Sequence, residues 1–296
     1  MLSHPDYNSA QSLKSFLDSR GLAMQKKFGQ NFLINQDARK KIIDSLDVSE
    51  NTDVWEVGPG LGCMTDEILS RNASLTVFEI DHGFADCVNE FFEPYSQKGK
   101  FSLVEGDVLK TWKKELSEFK EKTKKEVPDR FFGNLPYNIA ATLIADTIEN
   151  NIRFEKCVFT IQKEVAKRMN ASPGSDDYSS FSVLCSWAYD ITNIVDLSGA
   201  NFWPKPNVDS RAVLLTKKSD FPGCENPKLF CKMQRALFSA RRKTVKNNLT
   251  QFLSSSENAD YALDKAKIDN KSRAEVLTLE QMLILSDIIN KDIINK

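Results

Sequence analysis

Strand-like and helix-like segments alternate along most of this chain, and no other property restricts its fold as strongly. Apolar or β-branched runs stand at DVWEV (53–57), SLTVFEI (74–80), KFSLVEGDV (100–108), RFFGNL (130–135), KCVFTIQ (156–162), YDITNIVDL (189–197) and RAVLLTK (211–217). Most are apolar through their centres, as strands covered on both faces are. Helical periodicity fills intervals at 64–71, 83–92 and 140–150, so the pattern predicts a doubly wound α/β sheet. The linker LSGANFWPKPNVDS holds too many prolines and turn residues for a crossover helix. The seventh strand is therefore expected to run antiparallel. Beyond KKSDFPGCENPK (217–228) strand signals stop and the remainder is helix-periodic. The division that follows is a sheet domain over residues 1–218 and a small all-helical domain over 219–296. The charge run KKELSEFKEKTKKE (113–126) reads as a solvated helix face.

Composition excludes several classes. With 296 residues, 41% hydrophobic and 27% charged, the chain can bury one large core and a smaller second one. No apolar run approaches the roughly 20 residues of a membrane span, and the N-terminus lacks the charged-then-apolar order of a signal peptide. A cytoplasmic protein without membrane contact is expected. Six scattered cysteines with only two histidines suggest neither a disulfide framework nor a metal site. The net charge of −1 means that a nucleic-acid partner must be held by a local basic patch.

The first strand enters EVGPGLGCMT (56–65). A glycine-rich strand-to-helix turn lets backbone N–H groups and a helix N-terminus approach a ligand closely at Gly58, Gly60 and Gly62. It departs from the dinucleotide fingerprint, with Cys63 at the third small position and Pro59 between the first glycines. Glu79 ends the second strand, about 20 residues on, where a carboxylate can take both ribose hydroxyls. Asp107, at the end of the third strand, can accept from an adenine amino group. Either carboxylate alone is also explained as a turn or capping residue. Together they outline an adenosine-binding crevice along the carboxyl ends of neighbouring strands.

RFFGNLPYNI (130–139) ends the fourth strand on the same rim. The Asn134 side-chain oxygen and the Leu135 carbonyl can both accept from one exocyclic amine, and Pro136, with fixed φ and no N–H, holds that carbonyl outward. Tyr137 offers a face for stacking a planar base, worth about 1–3 kcal/mol.

At this point the sequence resembles the RNA adenine-N6 methyltransferases, and within them the small-subunit rRNA adenine-N6,N6 dimethyltransferases. KKFGQNFLIN (26–35), EVGPGLG, FEID, NLPY, IQKEVAKRM, FWPKPNVDS and FSARRKTVKNNL match that family's signatures in order, over roughly residues 20 to 250. One segment departs: in DYSSFSVL (177–184), Ser179 and Ser180 stand where the family has a glycine and often a basic residue. The resemblance implies a Rossmann-like class I methyltransferase fold with a seven-stranded sheet, residues 1–50 covering the cofactor, and a C-terminal helical RNA-binding domain. It implies S-adenosylmethionine as cofactor, with Gln30, Asn31 and Leu33 closing over it. Glu56, Gly58 and Gly60 would lie at its methionine portion, Glu79 at the ribose, and Asp107 and Val108 at the adenine, with Asn134 at the boundary. Asn134, Leu135, Pro136 and Tyr137 would form the catalytic turn, and no metal would take part. The implied partner is small-subunit rRNA within a pre-ribosomal small subunit, methylated by a monomer. An adenine methyltransferase of DNA or large-subunit rRNA, and a non-catalytic assembly or transcription factor on this fold, remain open alternatives.

RNA contact has its own signal. SARRKTVKNNL (239–249) reads as helical, with Phe238, Val245, Leu249 and Phe252 on one face. Arg235, Arg242 and Lys246 would border that face on one side and Arg241 on the other, a row suited to phosphate contact. FWPKPNVDS is ambiguous: Phe202 and Trp203 fit burial at the sheet edge, while its prolines fit instead the shaping of a target pocket's lip.

Overall fold

Each expected strand forms, and the order in which they pair builds the site. The computed structural model describes residues 3–25 and 28–295; Lys26 and Lys27, which open the KKFGQNFLIN motif, lie outside the described residues. The main strands are β2 (Asp53–Val57), β3 (Ser74–Glu79), β4 (Phe101–Glu105), β5 (Arg130–Asn134), β6 (Lys156–Gln162), β7 (Tyr189–Leu197) and β9 (Ser210–Lys217). They form one sheet in the order β4-β3-β2-β5-β6-β9-β7. β4, β3, β2, β5 and β6 pair in parallel, and β9, the seventh of these strands, lies antiparallel to β6 as expected. The chain starts in the middle at β2, winds outward through β3 and β4, then returns to β5 on the other side. That reversal opens a crevice at the carboxyl ends of β2 and β5. The central strands are buried on both faces, Val54, Trp55 and Val57 in β2 and Cys157 through Ile161 in β6, which explains their continuous apolar runs.

Two details differ from expectation. The third strand stops at Glu105, because Gly106 turns at φ +129° and Asp107 caps the helix Val108–Thr123, its Oδ1 accepting from the Leu109 N–H at 3.0 Å. Asp107 and Val108 therefore belong to a helix start and not to a strand. A second, two-stranded ribbon joins β1 (Phe32–Leu33) to β8 (Phe202–Trp203), antiparallel, with Phe32 opposite Trp203 and Leu33 opposite Phe202. It carries the FGQNFL segment onto the FWPKPN segment.

The chain divides into two compact units: Met1–Leu143, Arg153–Lys163 and Ile191–Thr216 in the first, and Ile144–Ile152, Glu164–Asp190 and Lys217–Lys296 in the second. The division is thus not a single cut after residue 218. The C-terminal helices recruit apolar partners from earlier in the chain: the Trp187 ring packs 4.6 Å from Phe230, and Tyr178 lies 5.8 Å from Phe238. The helices Pro227–Leu237, Val245–Leu253, Ser256–Lys265 and Leu279–Ile289 close this second core around Phe230, Met233, Leu249, Leu263 and Leu285. SARRKTVKNNL is not one helix. The first of these helices ends at Leu237, and Thr244 starts the next by accepting from the Asn247 N–H at 3.3 Å. Among the described residues no helix is long and apolar enough to cross a membrane.

Candidate active site

At the carboxyl ends of β2 to β6 lies a cavity of about 340 Å³ within the first unit. Gly58 and Gly60, on the turn after β2, both line it and both have positive φ (72° and 60°). A Cβ on Gly60 would stand 3.0 Å from the Phe32 ring, so this glycine lets the β1 segment close over the turn. Gly62 serves another purpose. It precedes the helix Cys63–Leu69 at φ +84°, and a Cβ there would lie 2.5 Å from Phe92 in the core, away from the cavity.

Two buried carboxylates face this space. Glu79, at the end of β3, is 4% exposed and accepts from the Asp81 N–H at 2.8 Å and the Gly60 N–H at 3.3 Å. Burial pushes its carboxyl up to about 7 against the pull of those N–H groups. Glu56, in β2, is 1% exposed and accepts one hydrogen bond from the Thr65 hydroxyl at 2.7 Å. Burial raises it to about 8, with the Glu79 charge adding to the effect. Asp107 spends Oδ1 on its helix cap while lining the cavity beside Val108.

The segment before β1 is braced from below. The Gln30 side chain accepts from the Gln25 N–H at 2.7 Å and donates to Asp81 Oδ2 at 2.9 Å, so its amide is committed to the loop and its place in the cavity wall is fixed. Asn31 donates to the Gly29 carbonyl at 3.0 Å. Leu33 is buried in the ribbon and lines the same wall. The Asn31 carbonyl accepts from Asn134 Nδ2 at 3.0 Å. That bond orients the amide: with Nδ2 engaged, Oδ1 is the atom left to meet an incoming donor.

Leu135, Pro136 and Tyr137 follow in the lining. The Leu135 N–H donates to the Thr160 carbonyl at 3.0 Å, which ties the turn to β6. The Tyr137 hydroxyl and Ser210 Oγ hydrogen-bond at 2.8 Å, so the hydroxyl fixes the ring's orientation. All ten expected cofactor residues and all four of the catalytic turn border this one cavity.

The expected basic row is not a free row. Arg235 pairs with Glu149, Lys246 with Asp260 at 2.7 Å, and Arg241 donates to the Asp176 carbonyl at 2.9 Å. Arg242, exposed in the turn between helices, forms no ion pair or hydrogen bond among the described residues. One of the departing serines has a local use: Ser179 is the N-cap of the helix Ser180–Ala188, and its N–H donates to the Ser182 side chain at 3.0 Å.

Several lining residues escaped the sequence reading. Ile80, 43% exposed, follows Glu79; in the sequence it is only the last apolar residue of the run SLTVFEI and carries no separate signal. Phe202 reaches the cavity through the ribbon while remaining buried, whereas neither Pro204 nor Pro206 is among the residues that line it. Thr160, in β6, lines the cavity and carried no signal beyond β-propensity.

The family model described as ribosomal RNA adenine dimethylase matches residues 21–291. A ribosomal RNA small subunit methyltransferase A from Treponema denticola is 47% identical over 291 residues, 97% of each chain, and one from Treponema pallidum is 41% identical over 288 residues, 96% of this chain and 97% of its own. A crystal structure of a dimethyladenosine transferase from Plasmodium falciparum shares the fold, with a TM-score of 0.70 at 24% identity over 87% of this chain and 96% of that one. The sheet is that of a Rossmann-like class I methyltransferase with a helical C-terminal part. With the family match running through both compact units, the chain belongs to the ribosomal RNA adenine dimethylase family.

Proposed function

We propose that this protein transfers methyl groups from S-adenosylmethionine to the N6 amine of adenine in small-subunit ribosomal RNA, dimethylating two adjacent adenines of the 3′-terminal hairpin. It acts as a cytoplasmic monomer on a pre-ribosomal small subunit and contributes to that particle's biogenesis. The cavity's residues fit the cofactor. Glu79 and Glu56 would offer buried carboxyl oxygens to the hydroxyl and amino donors of the cofactor, and Ile80 and Val108 would flank its purine beside Asp107. S-adenosylmethionine, when bound, supplies a methyl group made electrophilic by its sulfonium.

The observation that carries the reading is the orientation of Asn134. Its Nδ2 is held by the Asn31 carbonyl, which leaves Oδ1 as the atom that would accept from the target amine. An aryl amine is a poor nucleophile because its lone pair is delocalised into the ring. Accepting its hydrogens at Asn134 Oδ1 and the Leu135 carbonyl favours a pyramidal nitrogen with a localised lone pair, an electrostatic and orientational contribution. Tyr137, anchored through Ser210, stacks the base once it has left its helix, a step that costs least in a loop. No strong base is needed, since the amine proton becomes acidic after transfer and leaves to water. The test is mass spectrometry of small-subunit rRNA from cells with and without this protein. Loss of N6,N6-dimethyladenosine in its absence is the expected result; unchanged modification refutes the proposal.

A further inference from the structure

A glycine-rich turn has little stiffness of its own, so the groups that hold it decide how well it meets a ligand. In the turn after β2, Gly58, Gly60 and Gly62 all take positive φ (72°, 60° and 84°). Glu79 holds this turn at Gly60, accepting that N–H at 3.3 Å. A second hold comes from the N-terminal segment: the Tyr7 hydroxyl donates to the Leu61 carbonyl at 2.8 Å, across 54 positions of sequence. Neither Tyr7 nor Leu61 lines the cavity, whereas Gly60, just before Leu61, and Cys63, two positions after it, both do. The hydroxyl is fixed from two sides. A carbonyl can only accept, so the phenol proton goes to Leu61, and His4 Nδ1, 3.0 Å from the phenol oxygen, is the donor to it. The centre of the His4 ring lies 4.4 Å from that of Phe91 and 5.4 Å from that of Phe92, the ring for which Gly62 leaves room. Burial raises the Tyr7 phenol above its ordinary range, so it stays protonated and able to donate.

The same segment reaches a second wall of the cavity. Arg39, in the helix Gln36–Leu46, is 4% exposed, and the hydrogen-bond partners of its guanidinium among the described residues are uncharged oxygens. Nη1 donates to the Leu33 carbonyl at 2.8 Å and to the Tyr7 carbonyl at 3.4 Å, and Nη2 donates to Asn8 Oδ1 at 2.6 Å. Taking a cation out of water costs free energy. A methionine would fill the space without that cost, so packing alone does not account for the guanidinium. Leu33 lies in β1 and lines the cavity, and β1 is the strand whose Phe32 closes over Gly60. Tyr7 and Asn8 are therefore tied to the turn after β2 through the hydroxyl and to β1 through Arg39.

We infer that the segment His4–Asn8 is a strap that sets the spacing of these two walls, with Tyr7 and Arg39 as positioning residues for the cofactor. Neither side chain lines the cavity, and both act through backbone carbonyls of the segments that do. The inference rests on the reading of the cavity as the S-adenosylmethionine site and adds the element that holds that site in shape.

The test compares the wild-type chain with Tyr7→Phe, Arg39→Lys and the double variant. Three quantities are measured: thermal midpoint, S-adenosylmethionine affinity by calorimetry at a temperature where each protein is folded, and single-turnover methyl transfer at saturating cofactor to small-subunit particles that lack the modification. Tyr7→Phe keeps the ring and loses the bond to Leu61, so affinity should fall about fivefold, the worth of one hydrogen bond. Transfer at saturating cofactor should stay near the wild-type rate. Arg39→Lys keeps a cation but not the planar fork that reaches Leu33 and Asn8 together, and should weaken affinity by a similar factor. In the double variant the loss should be smaller than the product of the single losses, because either change releases the same segment. Should Arg39→Lys fail to fold, the affinity of Tyr7→Phe still decides. A role in stability alone would lower the midpoints and leave the affinity of the folded variants at the wild-type value, which overturns the inference. So does a double variant whose loss equals the product, which would make these two independent bonds, or slowed transfer by Tyr7→Phe with unchanged affinity, which would put the residue on the chemistry. Wild-type protein that binds no S-adenosylmethionine would instead overturn the cofactor reading of the cavity, and the strap with it.

Discussion

Replacing Asn134 with alanine removes one interaction seen in the structure and one that the proposed function assigns. The assigned one is acceptance from the target amine by Oδ1, whose worth would grow as the nitrogen becomes pyramidal. Losing one such transition-state hydrogen bond slows transfer by roughly 10²–10³-fold, about 2.7–4 kcal/mol. The second is the 3.0 Å bond from Nδ2 to the Asn31 carbonyl, which holds the loop before β1 over the crevice. That bond is worth about 1 kcal/mol, so cofactor affinity should weaken about fivefold. Affinity for the particle should stay as it is. Asn134→Asp keeps the shape but sets a carboxylate oxygen against the Asn31 carbonyl, so it should rescue neither quantity. Single-turnover methylation at saturating cofactor isolates the first effect, and calorimetric titration isolates the second. Transfer by Asn134→Ala at the wild-type rate, or a defect confined to particle binding, would refute the assignment.

Three further outcomes follow from the geometry. Glu79→Ala should remove most S-adenosylmethionine binding in a folded protein, and unchanged calorimetric affinity would take Glu79 out of the ribose role. Burial holds the Glu56 carboxyl near 8 against an ordinary value near 4.5, so the folded state binds more protons than the unfolded state between those limits and stability falls as pH rises through them. Relative to Glu56→Gln, the ligand-free wild type should lose on the order of a few kcal/mol between about pH 5 and 8, read from denaturant midpoints; parallel profiles would contradict the raised value. Arg242→Gln should lower the salt dependence of rRNA binding by about 0.9 in slope, whereas Arg235→Gln and Lys246→Gln, which each lose a cation already paired with a carboxylate, should change it less; equal slopes for all three would restore the continuous row.

The sheet and the cavity wall were legible because they rest on short-range patterns. A strand buried on both faces reads as an apolar run, and the residues that end β2, β3 and β5 sit where the run gives way to Gly58, Glu79 and Asn134. The third strand was overrun because Val108 continues its β-branched pattern, although Gly106 and the Asp107 cap already stop the pleat. The helix at 239–249 was misjudged for a related reason. Phe238, Val245 and Leu249 keep helical spacing across a break that Thr244 imposes by capping. The partners of the basic residues were beyond reach, since Arg235 meets Glu149 from 86 positions away. Thr160 was equally hidden: in sequence it is one more β-branched strand former, and only the pairing of β6 with β5 and β9 brings it to the cavity wall.

The central claim is tested most directly by incubating small-subunit particles from cells lacking this protein with the purified chain and isotopically labelled S-adenosylmethionine, then digesting the rRNA to nucleosides for mass spectrometry. The account predicts labelled N6,N6-dimethyladenosine in the small-subunit rRNA and none in large-subunit rRNA or duplex DNA offered in parallel. Label confined to either competitor, or no label in any of the three, would contradict it.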